Sequence, residues 1–226
     1  MKIAVFGTGA VGPAVAAALE KLGHDVVIGT RDPQATLART EAGPMGGVPF
    51  AQWHAEHAGI SLTSFADAAA GSDIVVNATS GTGSVDALTS AGAANLAGKV
   101  IVDIANPLDF SQGFPPSLNP VNTDSLGEQI QRAFPAARVV KTLNTMNASV
   151  MVDPSRVAGG DHSVFVSGND ADAKTVVAGL LADLGHRDII DLGDITTARG
   201  TEMLLPIWLR LWGALGTGEF NFKIAR

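Results

Sequence analysis

The sequence predicts an α/β protein, a doubly wound parallel sheet with a small C-terminal α/β extension. Three observations carry that prediction. Short apolar runs alternate with alanine-rich, helix-forming stretches through the first 150 positions, as chains built from βαβ units do. The runs I-A-V-F, I-V-V-N and V-I-V-D-I are continuous rather than alternating, which suits parallel strands buried on both faces. After residue 150 the rhythm changes, so the chain divides into 1–149 and 150–226.

The elements follow in order. Ile3–Phe6 is a strand closed by Gly7, and Ala14–Leu22 carries strong helix formers up to Gly23. Val26–Ile28 is the second strand, followed by a helix-compatible piece at Gln34–Thr40. Residues 43–58 mix glycine with proline and read as an irregular excursion with at most one helical turn. Phe65–Ala70 is a short helix, Ile74–Ala78 a strand, Val85–Leu96 a helix and Val100–Ile104 a strand. Residues 105–123 form a long proline-bearing loop before the helix Leu126–Phe134 and the strand Val139–Leu143. In the second part, Val164–Ser167 and Asp188–Leu192 are strands and Ala171–Leu184 is a helix. Thr196–Leu215 reads as one long helix kinked at Pro206.

Composition excludes several function classes. The net charge is −7 and basic residues are spread along the chain, which disfavours nucleic acid or an anionic membrane as a partner. With no cysteine, disulfides, thiolate metal sites and cysteine nucleophiles are impossible. The opening M-K-I-A-V-F-G is too short an apolar run for a secretory signal. Met203–Leu215, interrupted by Pro206 and Arg210, is shorter than the roughly 20 residues a bilayer span needs. A cytoplasmic protein is the expectation. His54 and His57 could share a helical face, but no third ligand has fitting spacing, so no metal site is assigned.

Gly7-Thr8-Gly9-Ala10-Val11-Gly12 matches G-x-G-x-x-G, and it joins the first strand to the first helix. In that context the pattern marks a dinucleotide-binding Rossmann domain. Gly7 would permit the tight turn, Gly9 the approach of the pyrophosphate, and Gly12 close packing of helix on strand. The helix amides would face the phosphates. Domains specific for NAD place an acid at the end of the second strand. Here the chain reads Thr30-Arg31-Asp32-Pro33. A hydroxyl followed by a guanidinium favours a 2′-phosphate, hence NADP, while Asp32 followed by proline suits a helix cap. Two more strand ends should face the cofactor, Asn77-Ala78-Thr79-Ser80-Gly81 and Asp103-Ile104-Ala105-Asn106-Pro107, with ordinary polar loops as the alternative for any single residue.

With these residues placed, the chain resembles the NADPH-dependent F420 reductases, which pass hydride between NADP and a deazaflavin coenzyme. It is also similar to the cytoplasmic reductase domain of the six-transmembrane metalloreductases, which reduce a flavin. The resemblance rests on G-T-G-A-V-G, on G-T-R, on Val139–Ala148, on Arg199, Glu202 and Pro206 as R-x-x-E-x-x-x-P, and on the tail Gly218–Lys223. It implies NADP as cofactor, a small-molecule acceptor (coenzyme F420, FMN or FAD) and a homodimer. It also implies that Asn144-Thr145-Met146 and Ala148 line the nicotinamide side and that residues 150–226 complete the active-site cleft. Asn144 and Asn147 depart from the F420 reductases, which carry histidine and proline there; K-T-L-N-T is closer to the metalloreductase version.

Hydride transfer between stacked rings needs proximity and orientation more than an acid or base. Asn144, Thr145 and Met146 are therefore the expected wall for the rings, with core filling as the alternative for Met146. Arg199 and Glu202, spaced i and i+3, could equally form an intrahelical pair or serve in binding. Two other readings stand beside the flavin-type reductase. One is a β-hydroxyacid or imine reductase, weakened because those families carry a sizeable all-helical second domain. The other is an NADPH sensor without catalysis.

Overall fold

The computed structural model describes residues 1–41 and 48–226. In chain order the first half runs β1 (Lys2–Phe6), α1 (Val11–Lys21), β2 (Asp25–Thr30), α2 (Pro33–Leu37), α3 (Phe50–Glu56), β3 (Ser61–Ser64), α4 (Phe65–Ala70), β4 (Ile74–Asn77), α5 (Gly81–Ala91), α6 (Ala93–Leu96) and β5 (Val100–Asp103). A short antiparallel pair follows, β6 (Leu108–Asp109) with β7 (Ser117–Leu118). Then come α7 (Leu126–Ala133), β8 (Arg138–Thr142), α8 (Ala148–Val152), β9 (Ser163–Gly168), α9 (Ala171–Asp183), β10 (Asp188–Asp191), α10 (Ala198–Glu202) and α11 (Leu205–Leu215).

Eight strands form one sheet in the order β10-β9-β8-β5-β4-β1-β2-β3. From β3 to β8 every pairing is parallel, giving the strand order of a Rossmann fold, whose switch point lies between β1 and β4. β9 turns antiparallel to β8, and β10 runs parallel to β9. Residues 150–226 thus add two strands to the same sheet.

Side chains alternate across a strand, so the central strands feed a core on both faces. Ile3 and Val5 join Val15, Leu19, Ile28 and Val76 on one face. Ala4 and Phe6 join Phe65, Leu88, Ile101 and Ile130 on the other. That two-sided demand explains the unbroken apolar runs.

The structure corrects several expectations. The irregular excursion contains the seven-residue helix α3; the part of it at 43–47 lies outside the described residues. β3 adds an edge strand that its polar sequence hides. Val85–Leu96 is two helices, because Gly92 takes φ +89° between them. The loop 105–123 contains the β6–β7 pair. The long helix after Thr196 is three pieces: a 3₁₀ turn at Ile195–Thr197, then α10, then α11. Pro206 sits in the first turn of α11, where its missing amide costs no intrahelical bond, so it opens a helix rather than kinking one.

Candidate functional site

The glycine loop lies at the carboxyl end of β1. Gly7 has φ +123°, and a β-carbon there would overlap the Ala78 carbonyl oxygen, so glycine is what lets the loops after β1 and β4 meet. A β-carbon on Gly12 would overlap the Gly7 carbonyl oxygen. Gly12 therefore lets the start of α1 come close against the chain as it leaves β1. A β-carbon on Gly9 would meet nothing within 4 Å, which leaves open space over an exposed stretch of backbone.

α2, α4, α7, α8 and α9 are capped by the side chains of Asp32, Ser64, Ser125, Asn147 and Asp170. α1 and α5, which follow the carboxyl ends of β1 and β4, are without a side-chain cap, as are α3, α6, α10 and α11, and neither has an acid in its first turn. Their free amides and positive ends suit the phosphates of a dinucleotide. This uncapped, open cradle at Gly9 fits NADP.

The end of β2 supplies the cations. Arg31 is exposed beside it, while Asp32 accepts from the Ala35 amide at 3.0 Å and caps α2 as expected. Thr30 is buried, and its hydroxyl meets that of Thr36 at 2.9 Å. Arg39 was not anticipated: its guanidinium donates to Thr8 Oγ1 at 2.8 Å, which brings a second cation onto the glycine loop. Only the turn at the end of α2 brings it there, 31 residues from Thr8.

At the ends of β4, β5 and β8 the predicted residues gather into two polar groups. Asn77 donates to Asp103 Oδ1 at 2.9 Å and to Ser84 at 3.1 Å, and it accepts from the Thr79 hydroxyl at 2.7 Å. Ser80 is exposed. Asn106 and Asn144 form a reciprocal pair: Asn106 Nδ2 donates to the Asn144 carbonyl at 2.8 Å, and Asn144 Nδ2 donates to Asn106 Oδ1 at 2.9 Å. Gly81 makes the approach possible, since a β-carbon there would overlap the Asn106 carbonyl oxygen. Pro107, Thr145 and Met146 are buried, and Met146 packs with Leu143, Val150 and Met151. Ala148, half-buried, opens α8.

Beneath these groups lies a charge cluster that the sequence did not reveal. Lys141 and Asp103 have fully buried side chains with Nζ–Oδ2 at 2.9 Å, and Glu202 Oε1 lies 2.8 Å from the same ammonium. Lys141 also donates to the Ala105 carbonyl at 2.6 Å. Burial pushes the ammonium down, but Asp103 and Glu202 outweigh it and hold Lys141 above its ordinary pKa. The Glu202 carboxylate also accepts from the Leu126 and Gly127 amides at 2.9 and 3.1 Å, at the start of α7. Arg199 forks onto Glu128, and that hydrogen-bonded pairing holds the Glu128 carboxyl below the usual range. The i, i+3 pair of Arg199 with Glu202 does not form; each reaches across to a different element. Lys141 sits within an apolar strand and its partners lie 38 and 61 positions away, so spacing carried no signal.

A family model described as "NADP oxidoreductase coenzyme F420-dependent" matches residues 2–107. A solved structure from Arthrobacter sp. FB24, provisionally described as an F420-dependent NADP-reductase, is 72% identical, with each chain covered in full and a TM-score of 0.96. The metalloreductase STEAP3 of Rattus norvegicus is 26% identical over 221 residues, 92% of this chain and 38% of that protein. The F420-dependent NADP reductase of Methanocaldococcus jannaschii is 29% identical over 127 residues, 54% of this chain and 56% of that one. The matches thus span less than two thirds of either of these two relatives. With a Rossmann sheet, uncapped helix ends at the glycine loop and full-length likeness to the Arthrobacter structure, the chain belongs to the F420-dependent NADP oxidoreductase family.

Proposed function

We propose that this protein passes hydride between NADP(H) and a flat tricyclic acceptor, a deazaflavin of the F420 type ahead of FMN or FAD. The observation that carries the reading is the chemistry of the strand ends. The polar side chains at the carboxyl ends of β4, β5 and β8 include the amides and hydroxyl of Asn77, Thr79, Asn106 and Asn144. The buried Asp103, Lys141 and Glu202 are paired with one another, and Glu128 is paired with Arg199. A carbonyl or imine substrate needs a placed proton donor as hydride arrives. A deazaflavin spreads the arriving charge over its rings and takes its proton from solvent.

NADP, when bound, supplies the hydride-carrying nicotinamide. The protein's part is to hold it. The α1 amides and the Gly9 backbone would take the pyrophosphate, Arg31 and Arg39 the 2′-phosphate, and Asn106 with Asn144 would border the nicotinamide. Asn144, Thr145, Met146 and Ala148 would form the wall on its far side, with Thr145 and Met146 as packing behind Asn144. The likeness to the rat metalloreductase, which runs through 92% of the chain, supports a second acceptor, a flavin that passes electrons to ferric iron. A spectrophotometric assay of NADPH oxidation against F420, FMN, FAD and ferric chelates tests both. Turnover with F420 is the expected result, and turnover with FMN but not F420 would favour the second reading. Steady reduction of a carbonyl or imine, with no flavin or deazaflavin accepted, would overturn both.

A further inference from the structure

We infer that Lys141, through Asp103 and Glu202, is a positioning residue that sets the geometry of the Asn106–Asn144 pair; the inference rests on the hydride-transfer reading above. The connectivity carries it. Lys141 grips the Ala105 carbonyl, and the next residue, Asn106, bonds Asn144 in both directions. Lys141 also grips Glu202, and the residue before it, Thr201, accepts from Asn144 Nδ2 at 3.2 Å. Asn144 itself lies three residues beyond Lys141 on the same chain. One ammonium therefore anchors all three segments that meet at Asn144.

Two further observations support a geometric role. Leu143, between the ammonium and the amide, is buried with φ +59°. A branched side chain avoids that region, and such strain persists only where the surroundings over-determine the backbone. The charges themselves are poorly explained by stability, because replacing a buried ion cluster with apolar groups of like volume is often neutral or stabilising. What an apolar cluster lacks is direction. The ammonium fixes the Asp103 and Glu202 carboxylates and the Ala105 carbonyl within 2.9 Å of one atom, and both carboxylates are fixed again by backbone amides. Ala105 N donates to Asp103 Oδ1 at 3.2 Å, and Leu126 N and Gly127 N donate to Glu202.

The test compares Lys141→Met, the neutral triple variant Lys141→Met/Asp103→Asn/Glu202→Gln, and Glu202→Gln alone. The single Lys141 variant leaves two buried carboxylates unpaired and should fold poorly; the other two keep the fold assessable. Three quantities are measured on folded protein: NADPH affinity, the emission lifetime of bound NADPH, and kcat with whichever of F420, FMN or FAD the wild type reduces. In the triple variant and in Glu202→Gln, affinity should stay within about threefold of wild type, because the phosphate contacts are untouched. The emission lifetime should shorten as the nicotinamide gains freedom, and kcat should fall at least tenfold. A purely structural role would change melting temperature alone, so wild-type lifetime together with wild-type kcat in both variants overturns the inference. The lifetime needs no acceptor. If wild-type protein oxidises NADPH with none of the three rings, the hydride-transfer reading fails while the positioning of the nicotinamide is still decided.

Discussion

Arg31 and Arg39 stand on opposite sides of the same question, one foreseen from the strand end and one delivered by a turn. Charge-assisted bonds contribute roughly 1.5–3 kcal/mol each, so wild-type protein should bind NADPH at least tenfold more tightly than NADH. Arg31→Ala and Arg39→Ala should each weaken NADPH by about one to two decades and barely change NADH. Calorimetry with both nucleotides checks this, and equal wild-type affinities would show that no 2′-phosphate site exists here. The glycines predict a contrast of another kind. Gly9→Val places a side chain in open space, so the protein should melt normally yet lose nucleotide binding, since the added atoms occupy the phosphate position. Gly12→Ala drives a β-carbon into the Gly7 carbonyl and should lower stability by about 1–3 kcal/mol. Thermal melts with and without NADPH separate the two effects.

Elements were legible where a single local cause dominates. The parallel strands announce themselves because burial on both faces demands unbroken apolar runs, and α2 was marked by Asp32 followed by Pro33. β3 was not legible: Ser61-Leu62-Thr63-Ser64 is held by pairing with β2, at an edge where one face stays wet. The break between α10 and α11 is not legible, because a proline inside an apolar run reads the same whether it kinks one helix or opens a second. The position of Pro206 in the first turn yields a prediction. Pro206→Ala should change stability by less than about 1 kcal/mol, against the roughly 3 kcal/mol expected if proline interrupted a helix. Denaturant titration of the variant distinguishes the two, and a large stabilisation on removing the proline would restore the kinked-helix reading.

At the scale of the whole molecule, the C-terminal part is joined to the sheet by β9, and within that part a buried pair of histidines ties α8 to the strands and the tail. His186 donates from Nε2 to the Met151 carbonyl at 3.0 Å, its Nδ1 is buried without a partner, and His162 packs edge-on at 6.0 Å between the Pro154 carbonyl and Asn221. Burial pushes the His186 imidazole below its ordinary pKa of 6.5, because a proton on Nδ1 would be a buried charge with no acceptor. The unfolded chain therefore takes up this proton first as pH falls, and stability is lost from about pH 6.5 downward until the folded state protonates too. Melting temperature should drop on acidification in wild type. His186→Leu, less stable at neutral pH for want of the Met151 bond, should show a flatter profile from pH 7.5 to 5.5. Parallel profiles would place the acid sensitivity elsewhere. No helix among the described residues is long and apolar enough to cross a membrane, in line with the reading of Met203–Leu215 as too short for a span.

The sequence by itself determined the strand–helix alternation, the glycine loop, the cap at Asp32 and the cation at Arg31. Each depends on residues within a few positions of one another, where backbone sterics, periodicity and local hydrogen bonding act. The tertiary structure alone decided that Arg39 meets Thr8, that Asn106 and Asn144 bind each other, and that Arg199 and Glu202 part company. It alone brought Lys141 to Asp103 and Glu202. Those contacts join residues 31 to 71 positions apart, and their strength comes from burial that the folded sheet creates. A lysine inside an apolar run does not say which carboxylates will meet it until strand order places β5 and α10 around β8.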